Sequence, residues 1–175
     1  MRRIRYQVAC SLDGYIAKPQ GEFDWIIHEP SFDFEALHNQ FDTIIMGRRT
    51  YEVAYGIGDF PGKQVIVASQ SLRQEDHLHV EVVGDGLEAR VRELRSQSGR
   101  DIWLYGGGDL LSQFLSWDLV DMIEPAIIPI LLGDGIPLVA ALRESRNLTL
   151  VGTKSYPTGM VLLEYKVNKM KRNWD

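Results

Sequence analysis

The stretch IWLYGGGDLLSQFL, residues Ile102 to Leu115, decides how this chain folds. Four apolar residues read as a buried strand, and the leucines and phenylalanine that follow Gly108 recur at helical spacing. One glycine is enough for a tight strand-to-helix turn that needs a positive φ. Three in succession, Gly106, Gly107 and Gly108, do more. Without side chains the backbone N–H groups can come close to a ligand, and the helix behind them offers unpaired amides and the positive end of its dipole to an anion. The spacing is not G-x-G-x-x-G, so the stretch alone does not indicate a Rossmann domain.

Moving outward, the same strand-then-helix unit recurs. IRYQVACS reads as a first strand ended by the turn signal Asp13-Gly14. DFEALHNQF reads as a helix with Phe34, Leu37, His38 and Phe41 on one stripe and Asp33 as its cap. TIIMG, Thr43 to Gly47, is a second strand, followed by a short helix over YEVAY. QVIVAS and LHVEVV are further strands, GLEARVRELRSQSG is an amphipathic helix stopped by Gly99, and DIWLYG and DLLSQFLSW complete the central unit. LVDMIEPAIIPIL is a strand in which Pro125 and Pro129 require an edge, a bulge or a strand end. LTLVGTKSYP and MVLLEYKV face each other across a Thr-Gly turn as an antiparallel hairpin. The pattern predicts an α/β fold with eight strands, four or five helices on both faces, and a turn-rich surface loop at GIGDFPGK.

The totals agree with one domain. A chain of 175 residues buries a full core without disulfides or metal. Its apolar fraction of 45% and charged fraction of 25% are those of ordinary globular proteins. We expect the domain to span residues 1–168, with 169–175 a basic, solvated C-terminal tail. A formal charge of -5 argues against a nucleic-acid partner. The single cysteine, Cys10, rules out an internal disulfide and a thiolate zinc site within one chain. Together with a start lacking a signal-peptide core and the absence of any run near the roughly 18 apolar residues of a membrane helix, this predicts a cytoplasmic protein with no membrane partner.

In an open α/β sheet, ligands bind outside the carboxyl ends of the parallel strands. Three such junctions carry chemistry. The first is the glycine triplet. The second is MGRRTYE, where Gly47 ends a strand and Arg48, Arg49 and Thr50 bring two permanent cations and a hydroxyl to a helix start. The third is VIVASQSLR, where Ser69, Gln70 and Ser71 follow a strand with Arg73 nearby. Three separated sites for phosphate or ribose suit a dinucleotide better than a ligand with one phosphate.

VACSLDGYIA with Trp25 beyond it, then IIMGRRTYE, VIVAS, LYGGGDLLSQFL and LVDMIEPAIIPILLGDGIPL, in this order, resemble the dihydrofolate reductase-like superfamily. The nearest branch is the riboflavin-biosynthesis reductase domain of bifunctional deaminase-reductases and its stand-alone relatives, and the resemblance covers residues 3 to 167. It implies a three-layer α/β/α fold on an eight-stranded, mixed, mostly parallel sheet with a C-terminal antiparallel hairpin. It also implies NADP as cofactor. Ala9 and Ile16 would then flank the nicotinamide. Gly47, Arg48, Arg49 and Thr50 would hold phosphates, including the 2′-phosphate, with Ser69 near the adenosine ribose. Gly106, Gly107 and Gly108 with Asp109 and Leu110 would close over the pyrophosphate.

Hydride transfer needs an electrophilic carbon held against the nicotinamide and usually one proton. In folate reductases an acid at the start of the helix before the second strand assists that protonation. Asp33 is the counterpart here, with Asp24 and Glu35 as rivals. The four histidines show no metal spacing, and His38 lies nearest the expected substrate cleft. No zinc-deaminase signature is present, and the MGRRT box is closer to folate reductases than to the riboflavin branch. The leading expectation is an NADPH-dependent, stand-alone reductase of a small heterocycle, with 5-amino-6-(5-phosphoribosylamino)uracil as first candidate. The alternatives are dihydrofolate reductase-type activity and a non-catalytic NADP-binding module. A homodimer formed through the late apolar strands is expected.

Overall fold

The computed structural model describes residues 1–55 and 60–170. Positions 56–59 of the turn-rich loop and 171–175 of the basic tail therefore lie outside the described residues. Six strands run parallel: β1 (Ile4–Ser11), β3 (Phe41–Gly47), β4 (Gln64–Ala68), β5 (Glu81–Val83), β6 (Asp101–Gly106) and β7 (Met122–Ile128). β9 (Leu148–Ser155) and β10 (Val161–Val167) form the hairpin, with β10 antiparallel to β7. The sheet is eight-stranded in the order β5-β4-β3-β6-β1-β7-β10-β9.

Strand alternation sorts side chains to two faces. Ile4, Tyr6, Ile45, Ile102 and Leu104 meet α3 (Leu87–Ser96) and α4 (Gly108–Ser116) through Val91, Leu94, Leu111 and Phe114. Each such fully buried side chain contributes about 1.5–3 kcal/mol relative to exposure. On the opposite face Ile44, Met46, Val67 and Trp103 meet α1 (Phe34–His38) and α2 (Arg48–Tyr55). A third cluster, Trp25, Ile128, Tyr156 and Met160, lies beneath the segment before α1.

Several elements differ from expectation for local reasons. α1 ends at His38, and Phe41 opens β3 with no exposed surface rather than extending the helical stripe. β5 is only Glu81–Val83, because Gln74 takes the backbone that a longer strand would use: its Nε2 donates to His77 O and Val80 O, and its Oε1 accepts from Val82 N. α2 begins at Arg48, so both arginines stand in its first turn. β7 is interior, yet its pairing with β10 skips Glu124 and Pro125 between Ile123 and Ala126, which leaves room for a residue without an N–H; Pro129 follows the strand end. Two short strands not foreseen, β2 (Tyr15–Ala17) and β8 (Ile136–Pro137), pair antiparallel beside the carboxyl edge of the sheet. No helix among the described residues is long and apolar enough to cross a membrane.

Candidate active site

The carboxyl ends of β1, β3, β4, β5 and β6 open into one cleft of about 1890 Å³. That exceeds the roughly 300–1,000 Å³ usual for one small ligand, so it has room for two. Each glycine of the triplet has its own reason to be there. Gly106 has φ +140°, in the region that side chains avoid. A Cβ on Gly107 would project into the cleft, 3.8 Å from Ile16 Cδ1 and 3.9 Å from Thr50 Oγ1. A Cβ on Gly108 would lie 2.5 Å from Pro137 O, so the segment after β8 rests directly on the start of α4.

Gly107 caps α4 without a side-chain bond, and its carbonyl accepts from Leu111 N at 3.1 Å. The amides of Gly108, Asp109 and Leu110 precede the first intrahelical donor and are left for another acceptor. Across the cleft, Arg48 Nε bonds Glu52 at 2.6 Å, and an Arg48 terminal nitrogen donates to Ser71 Oγ at 2.9 Å; Ser69 Oγ lies 3.4 Å beyond. Arg49 is exposed, and its side chain has no partner among the described residues. Oriented backbone donors thus face two cations and two hydroxyls, a setting for an elongated, multiply charged anion.

All twelve residues assigned to the cofactor from sequence line this cleft: Ala9, Ile16, Gly47, Arg48, Arg49, Thr50, Ser69, Gly106, Gly107, Gly108, Asp109 and Leu110. Asp33 does not. It is exposed and accepts from Ala36 N at 2.8 Å as the cap of α1. Asp24 pairs with Lys18 at 2.8 Å, and neither it nor Glu35 reaches the lining. The loop Gly84, Asp85 and Gly86, with Leu87 at the start of α3, forms a further wall, with Gln70 donating to Asp85 at 3.3 Å. It was missed, although VVGDG after a strand obeys the same junction rule.

The other half of the cleft is apolar, walled by Ile27, Phe32, Leu37, Trp103, Tyr105 and Met160. Of the four histidines only His38 lines it, edge-on to Trp103 at 5.3 Å; burial and the nearby Lys63 ammonium lower its pKa. His77 and His79 instead bond the Tyr51 hydroxyl, at 3.0 Å each. Glu29 is buried, with its carboxylate taken up by the hydroxyls and amides of Ser31 and Thr158, and these bonds lower its pKa to about 2. It ties the segment before α1 to the β9–β10 turn and has no proton to give at neutral pH.

The family model described as the RibD C-terminal domain matches residues 2–162. The chain belongs to that family. It is 32% identical to the uncharacterized protein YyaP of Bacillus subtilis (strain 168), over 95% of this chain and 96% of that one. A solved structure from Shewanella sp. PV-4 is 28% identical with a TM-score of 0.82, covering 95% of this chain and 99% of that one. Dihydrofolate reductase of Enterococcus faecalis, in complex with NADP(H), superposes with a TM-score of 0.71 at 16% identity, covering 95% of this chain and 97% of that one. This member of the RibD C-terminal domain family therefore has the dihydrofolate reductase-like fold.

Proposed function

We propose that this chain is an NADPH-dependent reductase of a small heterocycle of the riboflavin-precursor type. The observation that carries the reading is the convergence, in one cleft, of the uncapped amides of α4 with Arg48 and Arg49 at the start of α2. Family membership and a neighbour of the same fold complexed with NADP(H) support it. In this reading Gly108, Asp109 and Leu110 receive the pyrophosphate through backbone donors. Arg48, Arg49, Ser69 and Ser71 hold the 2′-phosphate, and Ala9 and Ile16 flank the nicotinamide, which supplies the hydride. The remaining apolar walls exclude water and press the acceptor ring against it.

The test is direct. Trp103 and Trp117 line the cleft, so NADPH should quench tryptophan fluorescence. Replacing Arg48 and Arg49 together by Ala should weaken NADPH more than NADH, by about 1.5–3 kcal/mol for a lost charge-assisted contact. Equal losses for both cofactors overturn the 2′-phosphate assignment, and no binding of either overturns the reading. One observation favours a second reading, the non-catalytic NADP-binding module: Asp33, Asp24 and Glu35 all lie outside the cleft lining. Quenching by NADPH without any fall in reduced-nicotinamide absorbance, over a panel of ribosylaminopyrimidines and dihydrofolate, would establish that alternative. A homodimer is part of the proposal, supported by Leu148, Leu150 and Val151 exposed on the edge strand β9.

A further inference from the structure

The apolar half of the cleft holds a polar group that the fold leaves unused. Gln7 lies mid-strand in β1 at 8% exposure and lines the cleft. Its Oε1 is buried without a hydrogen-bond partner, and its Nε2 donates to no atom of the described residues. Buried amides are nearly always satisfied, and one that is not weakens the fold unless something else completes it. The residue is held in place all the same: Trp103 Nε1 donates to Gln7 O at 3.0 Å, while the Trp103 ring stacks on Phe41 and meets Tyr105 edge-on, each at 5.0 Å. The result is an unpaired amide on the floor of a slot with aromatic and aliphatic walls, a seat for a flat ring with one polar edge.

The charge around it narrows the ligand further. The carboxylate in this half is Glu29, ionised and already saturated by Ser31 and Thr158. The nearby cations are engaged elsewhere: Lys63 donates to His38 O and Phe41 O at 2.7 and 3.0 Å, and Lys18 pairs with Asp24 at 2.8 Å. Among the described residues, the cations that line the cleft are Arg48, Arg49 and Arg92, all in the cofactor half. A phosphate needs such a cation or a set of bare amides.

We infer that Gln7 reads the substrate, and that the substrate is an uncharged planar ring with a lactam edge, an N–H beside a C=O, rather than a phosphate ester. Gln7 Oε1 accepts from the ring N–H, and its Nε2 donates to the ring carbonyl. The inference rests on the reductase reading and specifies what shares the cleft with the cofactor.

Calorimetric titration of the full chain saturated with NADP⁺ tests it. Lumazine should bind at least tenfold more tightly than 1,3-dimethyllumazine, which lacks the N–H groups, since sites built around a polar edge reject analogues without it. In Gln7→Met, of similar shape, lumazine should weaken at least tenfold and the preference over the dimethyl compound should vanish, with NADP⁺ affinity within twofold of native. 5-Amino-6-(ribosylamino)uracil should bind at least as tightly as its 5′-phosphate. Retention of the lumazine preference by Gln7→Met overturns the role of Gln7, as does failure of lumazine to bind the NADP⁺-saturated native chain. A tenfold preference for the 5′-phosphate overturns the uncharged substrate. If the variant does not fold, the two comparisons on native protein still decide. Native protein that binds no NADP⁺ overturns the reductase reading and this inference together.

Discussion

At the amino ends of β1, β3 and β6, Arg2 bonds Asp42, Thr43 Oγ1 and Arg100 O; Arg3 and Arg5 share Asp101; and Arg5 continues to Gln40 and the buried Glu124. At the carboxyl ends of the same strands Arg49 has no partner among the described residues and the first amides of α4 are uncapped; on the cleft floor below them, mid-strand in β1, Gln7 Oε1 is buried and unpaired. The amino edge pairs most of its charged groups internally, Arg95 Nε being buried and unpaired, and the cleft side leaves more of its polar groups open. Folding alone would favour satisfying both. The carboxyl edge therefore gives up stability to hold groups ready for a ligand, and the amino edge supplies the stability that permits it.

The largest test of that division is Arg5→Met. It leaves Glu124, with a side chain 4% exposed, as an uncompensated buried charge, and burial already raises its pKa with Arg5 in place. Removing one partner of such a pair costs about 3–5 kcal/mol. The urea midpoint should fall accordingly, while NADPH quenching per folded molecule stays native. Arg5→Met with Glu124→Met should recover much of the loss. A loss under about 1 kcal/mol, or weaker NADPH binding by the folded fraction, would break the contrast between the edges.

A smaller effect should combine both properties at one residue. Gly108→Ala places a methyl 2.5 Å from Pro137 O and 3.2 Å from Ala140 N, both backbone atoms. Overpacking of this kind costs about 1–3 kcal/mol. Because relief requires the start of α4 or the segment after β8 to shift, NADPH affinity should fall as well. Unchanged affinity, read by fluorescence quenching, would mean that the α4 amides do not contact the cofactor.

The sequence made one edge far more legible than the other. β1 and β6 have the predicted bounds because apolar runs closed by Asp13-Gly14 or by a glycine triplet leave little else for the backbone to do. That the glycine triplet and the two arginines would line one cleft was readable because bare backbone and paired arginines are local signals. The apolar half of the cleft was not. Nothing in IRYQVACS marks Gln7, and Trp103, which donates to its main-chain oxygen, is remote in sequence and adjacent only because β6 pairs with β1. The lacework of Arg2, Arg3 and Arg5 likewise appears only once parallel pairing gathers the amino ends. The overlong α1 and β5 were misread because capping and the Gln74 side-chain bonds act within a few residues and override periodicity.

Asp33 allows the finest distinction, since it belongs by location to neither edge. As a cap its carboxylate accepts from Ala36 N at 2.8 Å, and Asn can do the same. Asp33→Asn should therefore leave stability native, whereas Asp33→Ala should cost about 1 kcal/mol. If capping is its whole role, both variants retain kcat and the native pH profile once enough protein is folded. If it supplies the proton, Asp33→Asn alone separates the two properties, with native unfolding but at least a hundredfold slower turnover. The exposed position and the bond to Ala36 favour the first outcome, which would shift the search for a proton source to His38 or to water admitted beside it.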